Sequence, residues 1–150
     1  MIYGNRDVGI NYIRTRNNHT CYGMGIVCAQ KRFLTDAHLE NVGIDRSSRY
    51  IVAGAQDEYG CPEFDNLWDH EKRPDVPAIH YDKAETDMIR ICTDFCHAHP
   101  RIGALMLECT GMQPFARAVQ RATDLPVFSW GTLLDYAYSI VVHRDYYGHV

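Results

Sequence analysis

Residues 102–115 read IGALMLECTGMQPF and join a short apolar run to a stretch with helical character. Residues 104–107 carry no polar side chain, which is typical of a strand that is covered on both faces of a parallel sheet. Similar apolar runs stand at 24–29, 50–53 and 127–128. The pattern predicts a sheet of about four buried strands.

Helical patterns occupy the intervals around these runs, at 35–42, 82–98, 112–122 and 133–142. In the second of them the apolar residues fall at offsets that line one helix face, and Gly43 directly after the first favours a helix end there. Strands that alternate with helices of this length indicate βαβ units. The predicted fold is α/β, with a mainly parallel sheet of about four strands and helices on both faces.

The chain is predicted to contain one domain preceded by an irregular segment. Residues 1–22 have no sustained apolar period, and their polar clusters predict turns and coil. Residues 23–150 are predicted to form the α/β domain. Inside it, residues 56–80 carry Gly60 and three prolines among charged residues. A loop of this length is usually functional or mobile, and we expect it to pass over the mouth of the sheet.

Composition narrows the class of protein. The chain has 150 residues, 46% of them hydrophobic, and a net charge of −4, which predicts a soluble globular protein. The mild acidity, without a run of Lys and Arg among aromatics, argues against a nucleic-acid partner. No segment has the length of a membrane span or the core of a signal peptide, so we expect a cytoplasmic protein without a membrane partner. The six cysteines are expected to be reduced thiols.

Cys109 lies where open α/β sheets bind ligands, at the carboxyl end of a strand and the start of a helix. The positive end of the helix dipole is expected to lower the pKa of its thiol. The backbone N–H groups of Thr110 and Gly111 would then hold a carboxylate near the sulfur. Thr110 and Gln113 also have the spacing of a capping box. The alternative is that Cys109 is a small apolar residue that ends a core strand.

A metal site is not expected. Cys92, Cys96, His97 and His99 lie close together in the sequence. At about 100° per residue, His97 points away from the Cys92 face of a helix. These side chains therefore cannot converge on one ion within a helix.

The segment around Cys109, continuing to Leu125-Pro126-Val127-Phe128, resembles the second cysteine motif of the aspartate/glutamate (hydantoin) racemase superfamily. Residues 25–27, 34–39 and 60–64 are similar to members of the same superfamily. The resemblance runs from Gly23 to the end of the chain and concerns the C-terminal half of these enzymes only.

The resemblance implies a cofactor-independent isomerase with two like α/β domains, each providing one cysteine beside the α-carbon of a carboxylate substrate. One thiolate removes the α-proton and the opposite thiol returns a proton to the other face. No metal or pyridoxal is implied. In the cleft implied by the resemblance, Cys109 is catalytic, and Thr110, Gly111 and Gln30 bind substrate. Lys31 and Arg32 would add positive charge beside Gln30, although all three also fit an ordinary solvated loop.

The first cysteine of the superfamily lies in a domain that precedes the strand beginning here near Met24. Neither Cys21 nor Cys28 is a natural substitute, because both lie close to or inside that strand. Inversion needs a donor and an acceptor on opposite faces of one carbon. We therefore expect a racemase-type or decarboxylase-type enzyme half that acts on a small carboxylic or amino acid and is inactive alone. The alternative is a truncated, inactive relative that keeps the fold and a carboxylate site.

The last predicted helix, Leu133–Val142, is apolar nearly all round. Such a helix has to be covered on more than one side. The sequence therefore predicts that the chain self-associates, or binds a missing N-terminal half, through this helix.

Overall fold

The computed structural model describes residues 23–45, 47–63, 71 and 80–145. The predicted segment 1–22, including Cys21, and most of the predicted loop 56–80 lie outside the described residues. The strands are β1 Gly23–Cys28, β2 Tyr50–Gly54, β3 Ile102–Leu107 and β4 Val127–Phe128, and the helices are α1 Asp36–Glu40, α2 Tyr81–Ala98, α3 Ala116–Thr123 and α4 Trp130–Val141. Two 3₁₀ helices, Lys31–Phe33 and Thr110–Phe115, follow β1 and β3.

The four strands form one parallel sheet in the order β2-β1-β3-β4. Val27 of β1 aligns with Ala53 of β2 and Leu107 of β3. The prediction of an α/β fold with a parallel four-stranded sheet is confirmed. Because all strands point the same way, the loops after β1, β2 and β3 meet at one edge of the sheet.

The core has a layer on each face of the sheet because successive side chains in a strand point to opposite faces. One layer joins Val27, Leu105 and Leu107 to α2 and α3. The other joins Ile26 and Met106, among others, to Leu39 and Ile44 near α1. Continuous apolar runs in β1 and β3 follow from this two-sided cover.

Helix α2 has the buried face that its periodicity predicts, formed by Ala84, Met88, Ile91, Cys92 and Phe95. Gly25 of β1 allows this face to approach closely, because a Cβ there would lie 2.9 Å from the Phe95 ring and 2.9 Å from Leu105. Because Gly25 has no side chain, α2 can pack directly on the central strands.

The first and third predicted helices differ in detail. The first is shorter than 35–42, and Gly43 follows it with a φ of 76°, as a helix end requires. The predicted helix 112–122 starts earlier, as a 3₁₀ helix from Thr110, and becomes α-helical only at Ala116. Pro114 explains the change, because it has no N–H to donate to the preceding turn.

Helix α4, predicted at 133–142, runs from Trp130 to Val141, and its N-cap is Ser129, whose N–H donates to Thr132 Oγ1 at 3.0 Å. None of its residues is buried by the described part of the chain. From Leu134 onward its side chains are exposed. Across the described ranges, no helix combines the length and apolar character needed to cross a membrane.

Candidate functional site at the carboxyl edge of the sheet

Cys109 lies two residues beyond the end of the central strand β3 and is the N-cap of the 3₁₀ helix Thr110–Phe115. The N–H of Glu108 donates to the carbonyl of Val27 at 2.9 Å, which fixes the exit of β3 against β1. The carbonyl of Cys109 accepts from the N–H of Met112 at 3.0 Å. Cys109 is half-buried and packs on the larger core layer. It is therefore held by backbone contacts at the carboxyl edge.

The electrostatic surroundings of Cys109 differ from the expectation. Burial raises the pKa of the Cys109 thiol, and the neighbouring Glu108 carboxylate raises it further. The N–H groups of Gly111 and Met112 lower it, the Gly111 N–H by more than Glu108 raises it, but burial outweighs both N–H groups. The predicted lowering of this pKa is therefore wrong, because desolvation of the thiolate outweighs two N–H groups at the start of a short 3₁₀ helix.

Thr110 and Gly111 are the first two residues of that helix, as predicted, and Thr110 is exposed. The predicted capping box between Thr110 and Gln113 is wrong, because the N-cap is Cys109 and no side chain caps the helix. Gln113 instead accepts a hydrogen bond from the N–H of Gly131 at 2.6 Å. It joins the 3₁₀ helix to the start of α4 and so positions the loop.

Gln30 follows β1 at the same edge, but its side chain is already engaged. Its Oε1 accepts from Nε of Arg32 at 2.7 Å. Arg32 also lies over the Phe33 ring, 4.9 Å from the centroid. Nζ of Lys31 pairs with Glu58 at 2.7 Å. The three residues predicted to face an acidic ligand thus contact one another and the loop after β2.

Asp57 occupies the backbone N–H groups after β1 that an external anion would otherwise bind. Its carboxylate accepts from the N–H of Lys31 at 3.1 Å and from the N–H of Arg32 at 3.3 Å. Glu58 in turn accepts from the N–H of Gly54 at 2.9 Å. The sequence interpretation missed this closure, although the end of a parallel strand at Gly54 was a signal that Asp57 and Glu58 would reach the same edge.

Cys28 ends β1 near Cys109 but is 3% exposed. Its thiol donates to the carbonyl of Ala53 at 3.4 Å. Burial, and then the carboxylates of Glu108 and Asp57, raise its pKa to about 12. These features describe a packed thiol.

A separate group of polar side chains lies beside α2, at an open cavity of about 420 Å³ lined by Glu63, Asp82 and Asp87 among others. The Cys61 thiol lies 3.7 Å from Asp87 Oδ2. Buried Glu63 Oε2 lies 3.2 Å from His80 Nδ1 without a well-directed hydrogen bond. The sequence analysis placed Cys61, Glu63 and His80 in the loop 56–80, and Asp82 and Asp87 in the predicted helix 82–98.

The part of the chain that the structure describes contains no group of three His, Cys, Asp or Glu side chains placed to hold a metal ion. Cys92 is buried and His97 is exposed. The His99 ring packs edge-on to Phe95, with centroids 5.3 Å apart. The cysteines and histidines of α2 thus lie apart from the carboxyl edge of the sheet.

The N–H groups of Gly111 and Met112 lie within hydrogen-bond reach of the Cys109 thiol, and Thr110 and Gly111 begin the 3₁₀ helix that follows it. Comparisons with protein-family models, with curated proteins and with solved structures gave no match to this chain.

Proposed function

We propose that this chain is one half of a cofactor-independent racemase- or isomerase-type enzyme that acts through Cys109 at the α-carbon of a small carboxylic or amino acid. The observation that carries the proposal is the place of Cys109, half-buried at the carboxyl end of a central strand and at the N-cap of the following helix. The N–H groups of Thr110 and Gly111 would hold the carboxylate, and Gln30 would line the far side of the cleft.

The protonation state of Cys109 favours one of the two roles in such a reaction. Because its pKa is raised by burial and by Glu108, the group is a thiol at neutral pH. A thiol donates the proton that the α-carbon receives, and a thiolate on the opposite face removes the original proton. In this proposal Cys109 is the donor, and the base belongs to a partner half.

The raised pKa also supports the second candidate, an inactive relative that keeps the fold and a carboxylate-binding site. Among the described residues, Cys28 ends the neighbouring strand β1, and its thiol is packed against Ala53. The two candidates share the binding step and differ in proton transfer. Each therefore needs its own measurement.

Alkylation by (R)- and (S)-2-bromopropionate tests the binding geometry. A Cys109 thiolate that faces the α-carbon displaces bromide, so that an S–C bond forms as the C–Br bond breaks. We expect saturable, enantioselective labelling of Cys109, with 2-bromopropionamide as the matched uncharged reagent. Cys96, half-buried on α2 with a pKa also raised by burial, is the control thiol. The readout is the ratio of the labelling rate with 2-bromopropionate to the rate with 2-bromopropionamide. An equal ratio at Cys109 and Cys96, without saturation, would contradict the proposal.

A Thr110→Val variant should weaken the saturable phase, because the hydroxyl group and the local N–H geometry contribute to carboxylate binding. Thr86→Val is the matched control, since the Thr86 hydroxyl only donates to the carbonyl of Asp82 on α2. Peptide mass spectrometry of one digest gives the labelling rates of Cys109 and Cys96 in each variant.

Incubation of amino acids with the chain in D₂O separates the two candidates. At high pH, where Cys109 becomes a thiolate, an enzyme half with this one thiol would exchange the α-hydrogen on one face without inversion, whereas the inactive relative would do neither. We expect no racemisation by the isolated chain. Racemisation that is lost in Cys109→Ser would show that this chain carries both acid/base groups.

A further inference from the structure

The start of α4 lies beside the loop that carries Cys109. Strands β3 and β4 are neighbours in the sheet, and Met106 aligns with Phe128. β3 leads into the Cys109 loop, and β4 leads through Ser129 into α4. Neighbouring strands lie about 4.8 Å apart, and parallel strands end at the same edge of a sheet. The two loops therefore leave the sheet side by side.

A side chain of the Cys109 loop binds the first turn of α4. The first N–H groups of a helix have no partner within the helix, so other groups have to accept from them. The N–H of Gly131 donates to Oε1 of Gln113 at 2.6 Å. Gln113 belongs to the 3₁₀ helix Thr110–Phe115. The start of α4 is thus bound to the helix that follows Cys109.

The contact between Gln113 and Gly131 is closely packed. A Cβ at Gly131 would overlap Gln113 Nε2 and lie 2.5 Å from its Oε1. Since Cβ atoms do not approach other heavy atoms this closely, a larger residue at 131 would displace the Gln113 amide. The amide is the far end of a flexible side chain, so it can move without disturbing the core. The lack of a side chain at Gly131 is therefore what lets Gln113 reach the helix.

The backbone beside Gln113 faces the sulfur of Cys109. The N–H groups of Gly111 and Met112 lie within hydrogen-bond reach of the thiol, and both favour its thiolate by lowering its pKa. The N–H of Met112 also donates to the carbonyl of Cys109 at 3.0 Å. Met112 is fully buried and directly precedes Gln113. A shift at Gln113 would therefore be transmitted to the N–H groups beside the sulfur.

We propose that Gln113 is a positioning residue for Cys109 and couples the reactivity of this thiol to the start of α4. By binding Gly131, Gln113 holds the 3₁₀ helix so that its two N–H groups stay directed at the sulfur. A ligand or protein that displaces the start of α4 then changes the reactivity of Cys109. The inference rests on the proposed function only in taking Cys109 as the reacting group.

Labelling of Cys109 by iodoacetamide between pH 7 and pH 10 tests the proposal. Gln113→Met removes the acceptor for the Gly131 N–H at nearly constant side-chain volume. Without well-placed N–H groups the thiolate is less stable. The pH profile should therefore move up by about half a pH unit, and the rate at pH 7.5 should fall roughly three-fold. Gly131→Ala, which displaces the same amide, should shift the profile in the same direction. Gln120→Met, an exposed change on α3, is the matched control and should leave the profile unchanged.

The double variant separates coupling from two unrelated defects. Because both substitutions act on one contact, Gln113→Met with Gly131→Ala should shift the profile no further than the larger single effect. A fully additive shift, or an unchanged profile in both single variants, would overturn the proposal. Faster labelling of both Cys109 and Cys96 at every pH would also overturn it, because that result indicates a loosened fold rather than lost N–H groups.

This experiment does not depend on binding of a carboxylate. The coupling can hold even if 2-bromopropionate labels Cys109 without saturation, which would contradict the proposed function alone. Conversely, an unchanged iodoacetamide profile beside saturable labelling by 2-bromopropionate would contradict the coupling alone.

Discussion

The loops after β1 and β3 lie next to each other at the same edge of the sheet, but their backbone N–H groups have different partners. After β1, the N–H groups of Lys31 and Arg32 donate to the carboxylate of Asp57. After β3, the 3₁₀ helix has Cys109 at its N-cap and no side-chain cap. The backbone N–H groups after β1 are occupied by a carboxylate of the chain itself, whereas the loop after β3 carries a half-buried thiol.

This difference shows that a place at the carboxyl edge does not by itself make a ligand site. An internal carboxylate competes with any external one for the same N–H groups, and it has no association cost to overcome. The loop after β3 is therefore the better candidate for an external carboxylate. We call the loop after β1 closed because Asp57 accepts from its N–H groups, and the loop after β3 open because no side chain caps its helix. Substitutions in each loop test this difference separately.

The largest contrast is expected between the two thiols that follow these strands. Raising the pKa of Cys28 from 9.0 to about 12 leaves roughly 1000-fold less thiolate at neutral pH, and thiolate is the reactive form. We predict that iodoacetamide labels Cys109 at least ~100-fold faster than Cys28. Mass spectrometry of timed samples gives both rates, and unfolding in urea should make them converge.

The pH dependence of the Cys109 rate follows from the same electrostatics. Because its pKa is raised above 9.0, the rate should keep rising with pH through pH 9. A rate that levels off below pH 8 would show an activated thiolate and would contradict the dominance of burial over the two N–H groups.

The next largest effect is expected from Gly54→Ala. A Cβ at Gly54 would overlap Asp57 Oδ1 and lie 2.7 Å from the backbone nitrogen of Lys31. We expect the free energy of unfolding to fall by about 2–3 kcal/mol in urea titrations. Adding Asp57→Ala should then cost less than it does alone, since the two changes share one contact. A loss below about 0.5 kcal/mol for Gly54→Ala would mean that the loop is not closed in this way.

Asp57→Asn should have a smaller effect because an amide oxygen still accepts one hydrogen bond. The loss of charge from two backbone hydrogen bonds is expected to cost about 1–2 kcal/mol of unfolding free energy. Asp94→Asn, an exposed change on α2, is the matched control. Equal effects of the two substitutions would leave Asp57 without a special role.

The smallest effect is expected from Glu108→Gln. The Glu108 carboxylate raises the pKa of Cys109, so its removal should lower that pKa and increase the thiolate fraction. We predict an increase of roughly three-fold in the labelling rate of Cys109 at pH 7.5. Glu85→Gln on α2 should not change the rate, and a decrease in Glu108→Gln would reverse the assigned sign.

The fold was predictable because its main signals are local. Continuous apolar runs such as 104–107 require two-sided cover, and the apolar face of α2 repeats with the helical period. Helix ends were harder to predict, since the change from 3₁₀ to α near Ala116 depends on Pro114 and on packing of both segments. The exposure of α4 followed from its apolar circumference, which a four-stranded sheet cannot surround.

The candidate site was only partly predictable. The place of Cys109 followed from its position between an apolar run and a helical pattern, but its pKa depends on a balance between burial and two N–H groups that spacing does not reveal. Closure of the loop after β1 depends on Asp57, which comes from another strand's loop. Similarly, Gln113 accepts a hydrogen bond from Gly131 rather than forming a capping box with Thr110. Local spacing allowed the capping box, and the contact with Gly131 depends on tertiary packing.

Site-resolved NMR titration with a small carboxylate, such as acetate or D- and L-alanine, tests the contrast between the two loops most directly. We predict saturable shifts of the backbone amides of Thr110, Gly111 and Met112, with no matching shifts at Lys31 and Arg32. The Asp57→Asn variant should gain shifts at the second pair. Shifts of equal size at both loops in the parent chain, or none at residues 110–112, would contradict an open site at Cys109 beside a closed loop after β1.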